Sequence, residues 1–256
     1  MKNTFIGFLL TFQFFSSLPI RMELPMNKKT VTAMYSMLPV LGLLMGSTIS
    51  ILYILNEDYL LISDLLFAIL VVVAGIIMTG GLHLDGWIDT GDAYFSYQNQ
   101  EKRLEILEDP RVGAFGAINL VVLLLLKIGF VFELLHKDSP NIIFYFIAVP
   151  FLSRLALQVY FITTNTVKEK GLAVYFKAQV TPKWIWITLL IYLLSFSILT
   201  FSFIGMFGFI LAIGMLLFVF IFRKWTIKNF GGMTGDLIGA LYEGIEVFLW
   251  GMLLFI

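Results

Sequence analysis

Eight apolar stretches of this chain are candidates to cross a bilayer as helices: residues 5–20, 31–55, 60–82, 115–135, 142–162, 184–203, 206–222 and 237–256. A helix rises about 1.5 Å per residue, so roughly 20 apolar residues cover a hydrocarbon core about 30 Å thick. Lipid offers no partner to a bare backbone amide, and apolar runs of this length satisfy theirs as helices. Composition agrees, with 59% apolar and 13% charged residues against about 45–50% and about 25% in soluble domains. The chain is expected to be an all-α integral membrane protein, a single membrane-embedded domain over residues 1–256 built as a polytopic bundle of about seven or eight transmembrane helices. The first run is short, carries Gln13, Ser16 and Ser17 and stops at Pro19, so a re-entrant or interfacial helix fits it as well as a full crossing. The sixth and seventh runs meet at Ile204 and Gly205, which predicts a tight helical hairpin.

Charge then orients the bundle. Segments 21–30, 83–114, 163–183 and 223–236 hold 13 of the 17 Lys and Arg residues and alternate with segments that hold only Lys2 and Lys137. All four basic segments therefore fall on one side, which the positive-inside rule makes cytoplasmic. Lys127 and Arg154 are left inside predicted spans, where an ionisable group faces the bundle interior or a wet cavity unless it can snorkel to the headgroups. A net charge of zero provides no basic field for nucleic acid, and the absence of cysteine excludes disulfides, thiolate metal sites and thiol catalysis. The start of the chain lacks a small-residue cleavage site, so no removable signal peptide is expected.

Where the third run reaches the cytoplasmic side, Gly80-Gly81-Leu82-His83-Leu84-Asp85-Gly86-Trp87-Ile88-Asp89-Thr90-Gly91-Asp92 places carboxylates at offsets zero, four and seven, one stripe of a helix. No Lys or Arg occurs between Asp85 and Glu101 to neutralise them. Such an all-oxygen set calls for Mg²⁺, Mn²⁺ or Ca²⁺ rather than zinc. His83 is either a catalytic neighbour or a hydrogen-bonded structural histidine. Gly231-Gly232-Met233-Thr234-Gly235-Asp236 repeats the spacing Gly-Gly, three residues, Asp at another cytoplasmic junction. Glycine pairs permit sharp turns and close approach of a ligand, so Gly80, Gly81, Gly231 and Gly232 are candidate substrate-binding positions. Asp236 and Glu243 share a helix face, a second acidic stripe that could complete one or two divalent sites. Arg111, just before the fourth run, and Arg154 are candidates to grip phosphate. Rim carboxylates with arginines describe phosphoryl chemistry better than ion transport, and point to a membrane-embedded transferase acting on a diphosphate substrate.

The ordered set of Gly80 to Asp92, Asp109 to Gly116, Ser153-Arg154, Gly171-Leu172-Ala173 with Phe176, and Gly231 to Asp236 with Glu243 resembles the cobalamin synthase family, the adenosylcobinamide-GDP ribazoletransferases. Gly91-Asp92-Ala93-Tyr94 and Asp109-Pro110-Arg111-Val112 depart from the family's usual Ala-Asp-Gly-Leu and Asp-Ser-Arg-Ile but keep the charged positions. The resemblance implies a membrane enzyme of a prokaryote's cytoplasmic (inner) membrane, with an active-site cavity open to the cytoplasm. It would join adenosylcobinamide-GDP to α-ribazole or α-ribazole 5′-phosphate, releasing GMP, with Mg²⁺ as cofactor. It would do so as a homo-oligomer or beside other enzymes of nucleotide-loop assembly. Under that reading Asp85, Asp89 and Asp92 hold Mg²⁺, and Asp236 and Glu243 complete a second metal position or accept a proton. Catalysis would rest on Asp85, Asp89, Asp236 and His83, with Arg111 and Arg154 on phosphate oxygens. A CDP-alcohol phosphotransferase of phospholipid synthesis also sets spaced aspartates at a membrane helix end, but its Ala-Arg after Asp-Gly is absent here. A secondary transporter would carry its charges near the midplane rather than at one rim.

Overall fold

The computed structural model describes residues 2–137 and 139–255. Among these are eleven α-helices and no strand: α1 (Lys2–Phe15), α2 (Lys28–Leu55), α3 (Asp64–Thr79), α4 (Leu82–Phe95), α5 (Gln100–Ile106), α6 (Ala114–His136), α7 (Ile142–Thr163), α8 (Leu172–Gln179), α9 (Pro182–Ile204), α10 (Phe207–Phe230) and α11 (Gly235–Leu253). Each of the eight apolar runs coincides with a helix, and the hairpin at Ile204 is the two-residue link Gly205-Met206 between α9 and α10.

Fewer helices than expected are long and apolar enough to cross on their own. Among the described residues these are α2 with its π-helical extension to Leu60, α6, α7, α9 and α10, five in all. The pair formed by α3 and α4 brings the number to six. The reasons are local. At 14 residues α1 is only about 21 Å long, and α11 has 19 residues with Asp236, Glu243 and Glu246 among them. Gly80 and Gly81 both take the left-handed conformation, at φ 66° and 74°, and there α4 turns away from α3 by 96°. Only glycine adopts that conformation without strain. Consequently α4 runs across the end of the bundle instead of continuing the span.

Two close approaches fix the packing. The first joins α2 to α7, the most buried of the crossing helices. A Cβ on Gly42 or Gly46 would lie 2.5 Å from the carbonyl oxygen of Pro150 or Phe146. These small residues thus serve contact within the chain. The second joins α4 to α11: a Cβ on Gly86 would lie 2.4 Å from the Asp236 carbonyl oxygen, and one on Gly239 would lie 3.0 Å from that of His83. Removing side chains from both partners lets the backbones meet, as small-residue membrane interfaces do.

The junctions after α7 and α10 gather beside this crossing. Gly231, at φ 83°, ends α10. Met233 then pairs with the strand-like segment after α7, its N–H donating to the Asn165 carbonyl at 2.9 Å while its own carbonyl accepts from Val167 at 3.2 Å.

Gly86→Val forces a branched side chain into backbone and is expected to lower stability by about 1–3 kcal/mol or more. Gly75→Ala, where an added Cβ meets nothing within 4 Å, is expected to be neutral or to gain up to about 1 kcal/mol. Thermal unfolding of both variants in the same detergent checks the contrast.

Candidate functional site

The crossing of α4 over α11 brings the two repeated glycine motifs together. In each, a left-handed glycine ends one helix and the aspartate stands in the first turn of the next: Asp85 in α4 and Asp236 in α11. A helix N-terminus favours a negative charge, so each motif prepays its acid. Asp85, Asp236 and His83 line one cavity of about 240 Å³, whose remaining wall comes from α1, α2 and α8. Asp89, one turn further along α4, feels burial first and then the charges of Asp85, Asp236 and Asp92. Together these push its carboxyl up to about 7. Of the predicted site residues, the fold therefore assembles Asp85, Asp236 and His83 on one cavity with Asp89 one turn away, and leaves Gly80, Gly81, Gly231 and Gly232 outside its lining. His83 is buried, its ring 4.2 Å from that of Tyr242 on α11.

The other predicted residues are placed elsewhere. The Asp92 carboxylate accepts from the backbone N–H of Gly113 at 2.7 Å and of Gly116 at 2.8 Å, which serves the otherwise uncapped start of α6. A Cβ on either glycine would lie within 2.4 Å of that carboxylate. Asp92 is thus engaged in holding α6 to α4 rather than turned to the acid group. The sequence signal for this role was the pair Gly113 and Gly116, flanking a helix start that has no side chain to cap it.

Arg111 is almost fully exposed and grips Asp109 through two contacts, 2.6 and 2.8 Å long. Those hydrogen bonds hold the Asp109 carboxyl down at about 2. A phosphate would have to draw Arg111 out of this pair.

Glu243 and Arg154 belong to a separate, buried network inside the bundle. Lys127 on α6 contacts Glu243 at 2.5 Å and Glu246 at 2.8 Å. Arg154 on α7 lies 3.4 Å from Glu246 and donates to the Tyr242 hydroxyl, which in turn donates to Glu246. Two cations balance two anions. The structure does not bring Glu243 to the aspartates or Arg154 to the cavity that they line, because each is committed to a partner where an unpaired charge is expensive. Sequence reading noted Lys127 and Arg154 as intramembrane charges but had no means to match them with the acids of α11.

Among the described residues, no three His, Asp or Glu side chains converge closely enough to hold a metal by themselves. Magnesium characteristically takes one or two carboxylates and completes its shell with water and substrate phosphate. The crowded, oxygen-only donors Asp85, Asp89 and Asp236 suit that partial coordination.

Comparison with known proteins adds the following. Residues 7–254 match the family model described as cobalamin-5-phosphate synthase. An adenosylcobinamide-GDP ribazoletransferase of Geobacillus kaustophilus is 35% identical, the alignment covering 99% of this chain and 97% of that protein. Proteins of the same name from Halalkalibacterium halodurans and Clostridioides difficile are each 32% identical, over 99% and 94% of this chain and 97% and 92% of their own. No solved structure matches the chain.

Two outcomes test this geometry. Lys127→Met leaves two carboxylates facing each other in the bundle and is expected to cost about 3–5 kcal/mol; adding Glu243→Gln recovers part of it in the same denaturation assay. The second concerns pH. The Asp89 carboxyl titrates near 7 in the fold and at the ordinary 3.8 when unfolded, so over that interval the folded state holds the extra proton. In EDTA the thermal midpoint should fall as pH rises from about 4 to about 7, and Asp89→Asn should flatten that slope.

Proposed function

Since the chain belongs to the cobalamin-5-phosphate synthase family, whose reaction is the final step of cobalamin synthesis, we propose how its own residues carry out that transfer. The protein is a transferase. Its substrates are adenosylcobinamide-GDP and α-ribazole or its 5′-phosphate. In the step, a ribose hydroxyl of the ribazole attacks the phosphorus joined to the cobinamide. A new P–O bond forms, the bond to the GMP oxygen breaks, and the hydroxyl proton passes to a carboxylate.

Asp85 and Asp89 are the residues that would hold Mg²⁺, and Asp236 across the crossing accepts the proton. When bound, the metal supplies charge neutralisation on the diphosphate and on the departing GMP. The protein's part is placement and electrostatics, as is usual for phosphoryl transfer. The observation that carries the assignment is the Asp89 carboxyl, raised to about 7 by burial and by Asp85, Asp236 and Asp92. A protein that crowds three acids in this way, with Lys168 acting on Asp236 alone, gains from a divalent cation. The left-handed glycines that end α3 and α10 leave the backbone of Gly80, Gly81 and Gly231 open to phosphate oxygens, whereas Gly232 packs against the Asn165 carbonyl, and Arg111 is free to leave Asp109 for them. His83, braced by Tyr242, orients the hydroxyl.

The site opens to the cytoplasm in this reading. The segments 83–114, 163–183 and 223–236 that surround it hold ten of the 17 Lys and Arg residues, and the positive-inside rule assigns that face. With Glu243 and Glu246 neutralised, α11 serves as a seventh crossing. The membrane is then the cytoplasmic membrane of a prokaryote, and association with a second copy or with other enzymes of nucleotide-loop assembly fits the same face.

The test is GMP release by the protein in liposomes, given adenosylcobinamide-GDP, α-ribazole 5′-phosphate and Mg²⁺. EDTA, Asp85→Asn and Asp89→Asn are each expected to lower turnover by at least about 10²-fold, the scale of losing one electrostatic stabiliser. Normal turnover by both variants would sink the metal assignment. Reaction with CDP-alcohols and not with the cobinamide substrate would favour the phospholipid reading instead.

A further inference from the structure

The cavity beneath the aspartates has two unlike ends. One carries Asp85, Asp236 and His83. The other is a set of aromatic rings drawn from three helices: Phe14 and Phe15 of α1, Tyr35 of α2 and Phe176 of α8. These rings brace one another edge to face. Phe14 meets Phe176 at 5.1 Å and 82°, Phe15 meets Tyr35 at 6.0 Å and 73°, and Tyr35 meets Phe176 at 6.1 Å and 72°. Behind them Tyr35 stacks flat on Phe161 at 3.9 Å. The arrangement is anchored from outside as well. The Tyr175 hydroxyl donates to the Met26 carbonyl at 2.7 Å, and the Thr181 N–H donates to the Thr32 hydroxyl at 2.9 Å. Both contacts tie the short helix α8 to the start of α2, and so hold Phe176 in place.

Size and polarity select the occupant. At about 240 Å³ the cavity lies below the roughly 300–1,000 Å³ of pockets that enclose drug-sized ligands. Guanine, though no larger than a benzimidazole, would set its polar edge against ring faces that offer it no hydrogen bond, and a corrin macrocycle does not fit. A single fused ring system does, with its sugar left at the mouth. Aromatic walls take the face of a heteroaromatic base whatever its substituents, and the carboxylate end takes hydroxyl groups.

We infer that the Phe14, Phe15, Tyr35 and Phe176 rings form the receptor for the heteroaromatic base of the riboside acceptor, directing its ribose hydroxyls at Asp85 and Asp236. The inference rests on the transferase reading above and deepens it: of the two substrates, only the aryl riboside enters this cavity. The cobinamide nucleotide reaches the carboxylates from the open side. On this account α8 with its preceding loop closes over the base, which gives the Gly171 to Phe176 motif a place in the site.

The experiment is steady-state GMP release in nanodiscs with each substrate varied separately, for the wild type, Phe176→Leu and Phe14→Leu. Each variant is expected to raise KM for α-ribazole 5′-phosphate by about ten-fold, within the range that loss of one base–aromatic stack produces. KM for adenosylcobinamide-GDP and kcat should stay within about two-fold. KM is read from folded enzyme alone, so poor folding of a variant cannot imitate this split. Phe176→Trp supplies a second readout: a narrowed receptor should shift the ratio of kcat/KM toward ribosides with a single-ring base. If both ribazole KM values stay at the wild-type level, a lipid chain or nothing occupies the cavity and the inference is overturned. A joint rise of both KM values, or a rise for the cobinamide substrate alone, overturns it too. Silence of the wild type with both substrates removes the transferase reading and this inference together, whereas an active wild type with unmoved KM removes the inference only.

Discussion

The contact on which the active end of this protein depends is the meeting of α4 and α11 at bare backbone. With Gly86 against Asp236 and Gly239 against His83, no side chain separates the two helices, and the acids beside those glycines are brought together as a result. Every other element at that end follows from the crossing. The left-handed pair Gly80 and Gly81 delivers α4 at the required angle, and Gly231 stops α10 so that α11 can begin beneath it. Asp92 carries the arrangement outward by capping α6. Polar contacts add to it, Trp87 and Asn119 joining α4 to α6 and Lys127 joining α6 to the glutamates of α11, where lipid competes for apolar contact on nearly equal terms.

Much of this was legible in the sequence, for identifiable reasons. Apolar length marks membrane helices because hydrocarbon thickness is a fixed requirement, and all eight runs became helices. Their number as independent crossings was less legible. Whether residues 5–20 and 82–95 continue along the bundle or turn across it is decided by glycine conformation and neighbouring helices, not by hydropathy. The acid stripe showed the same division. Periodicity identifies residues that share a face of one helix, as Asp85, Asp89 and Asp92 do, but not what that face meets. Asp92 met the amides of α6, and Glu243 met Lys127. Arg154, read as a phosphate ligand, proved to be a counter-ion to Glu246. Such pairings join residues some 90 to 120 positions apart, beyond the reach of any local pattern. The aromatic end of the cavity was equally hidden, since Phe14, Tyr35 and Phe176 come from three separate helices and none is unusual in a chain with 26 Phe.

The protein treats its charges in two opposite ways. Inside the bundle, Lys127, Arg154, Glu243 and Glu246 balance one another and are locked by Tyr242. At the rim, Asp85, Asp89 and Asp236 are left crowded and without equal compensation. The first group is compensated within itself and the second is not. Tyr242 touches both, through its hydroxyl on one side and through the His83 ring on the other. The rigidity of the balanced group is therefore conveyed to the edge of the unbalanced one.

The balanced group also orders the birth of the molecule. Its cations reside on α6 and α7, which precede α11 in the chain, so they reach the membrane before the glutamates that they neutralise. An ionisable side chain at the centre of a lone helix costs about 2.5–3.5 kcal/mol to insert, and α11 carries two. Its glutamates are compensated only where Lys127 and Arg154 already stand. Asp236 rides on the same helix, so the docking that pairs the buried charges also carries Asp236 to Gly86 of α4. A chain halted before α11 would leave Lys127 and Arg154 without the glutamates that neutralise them.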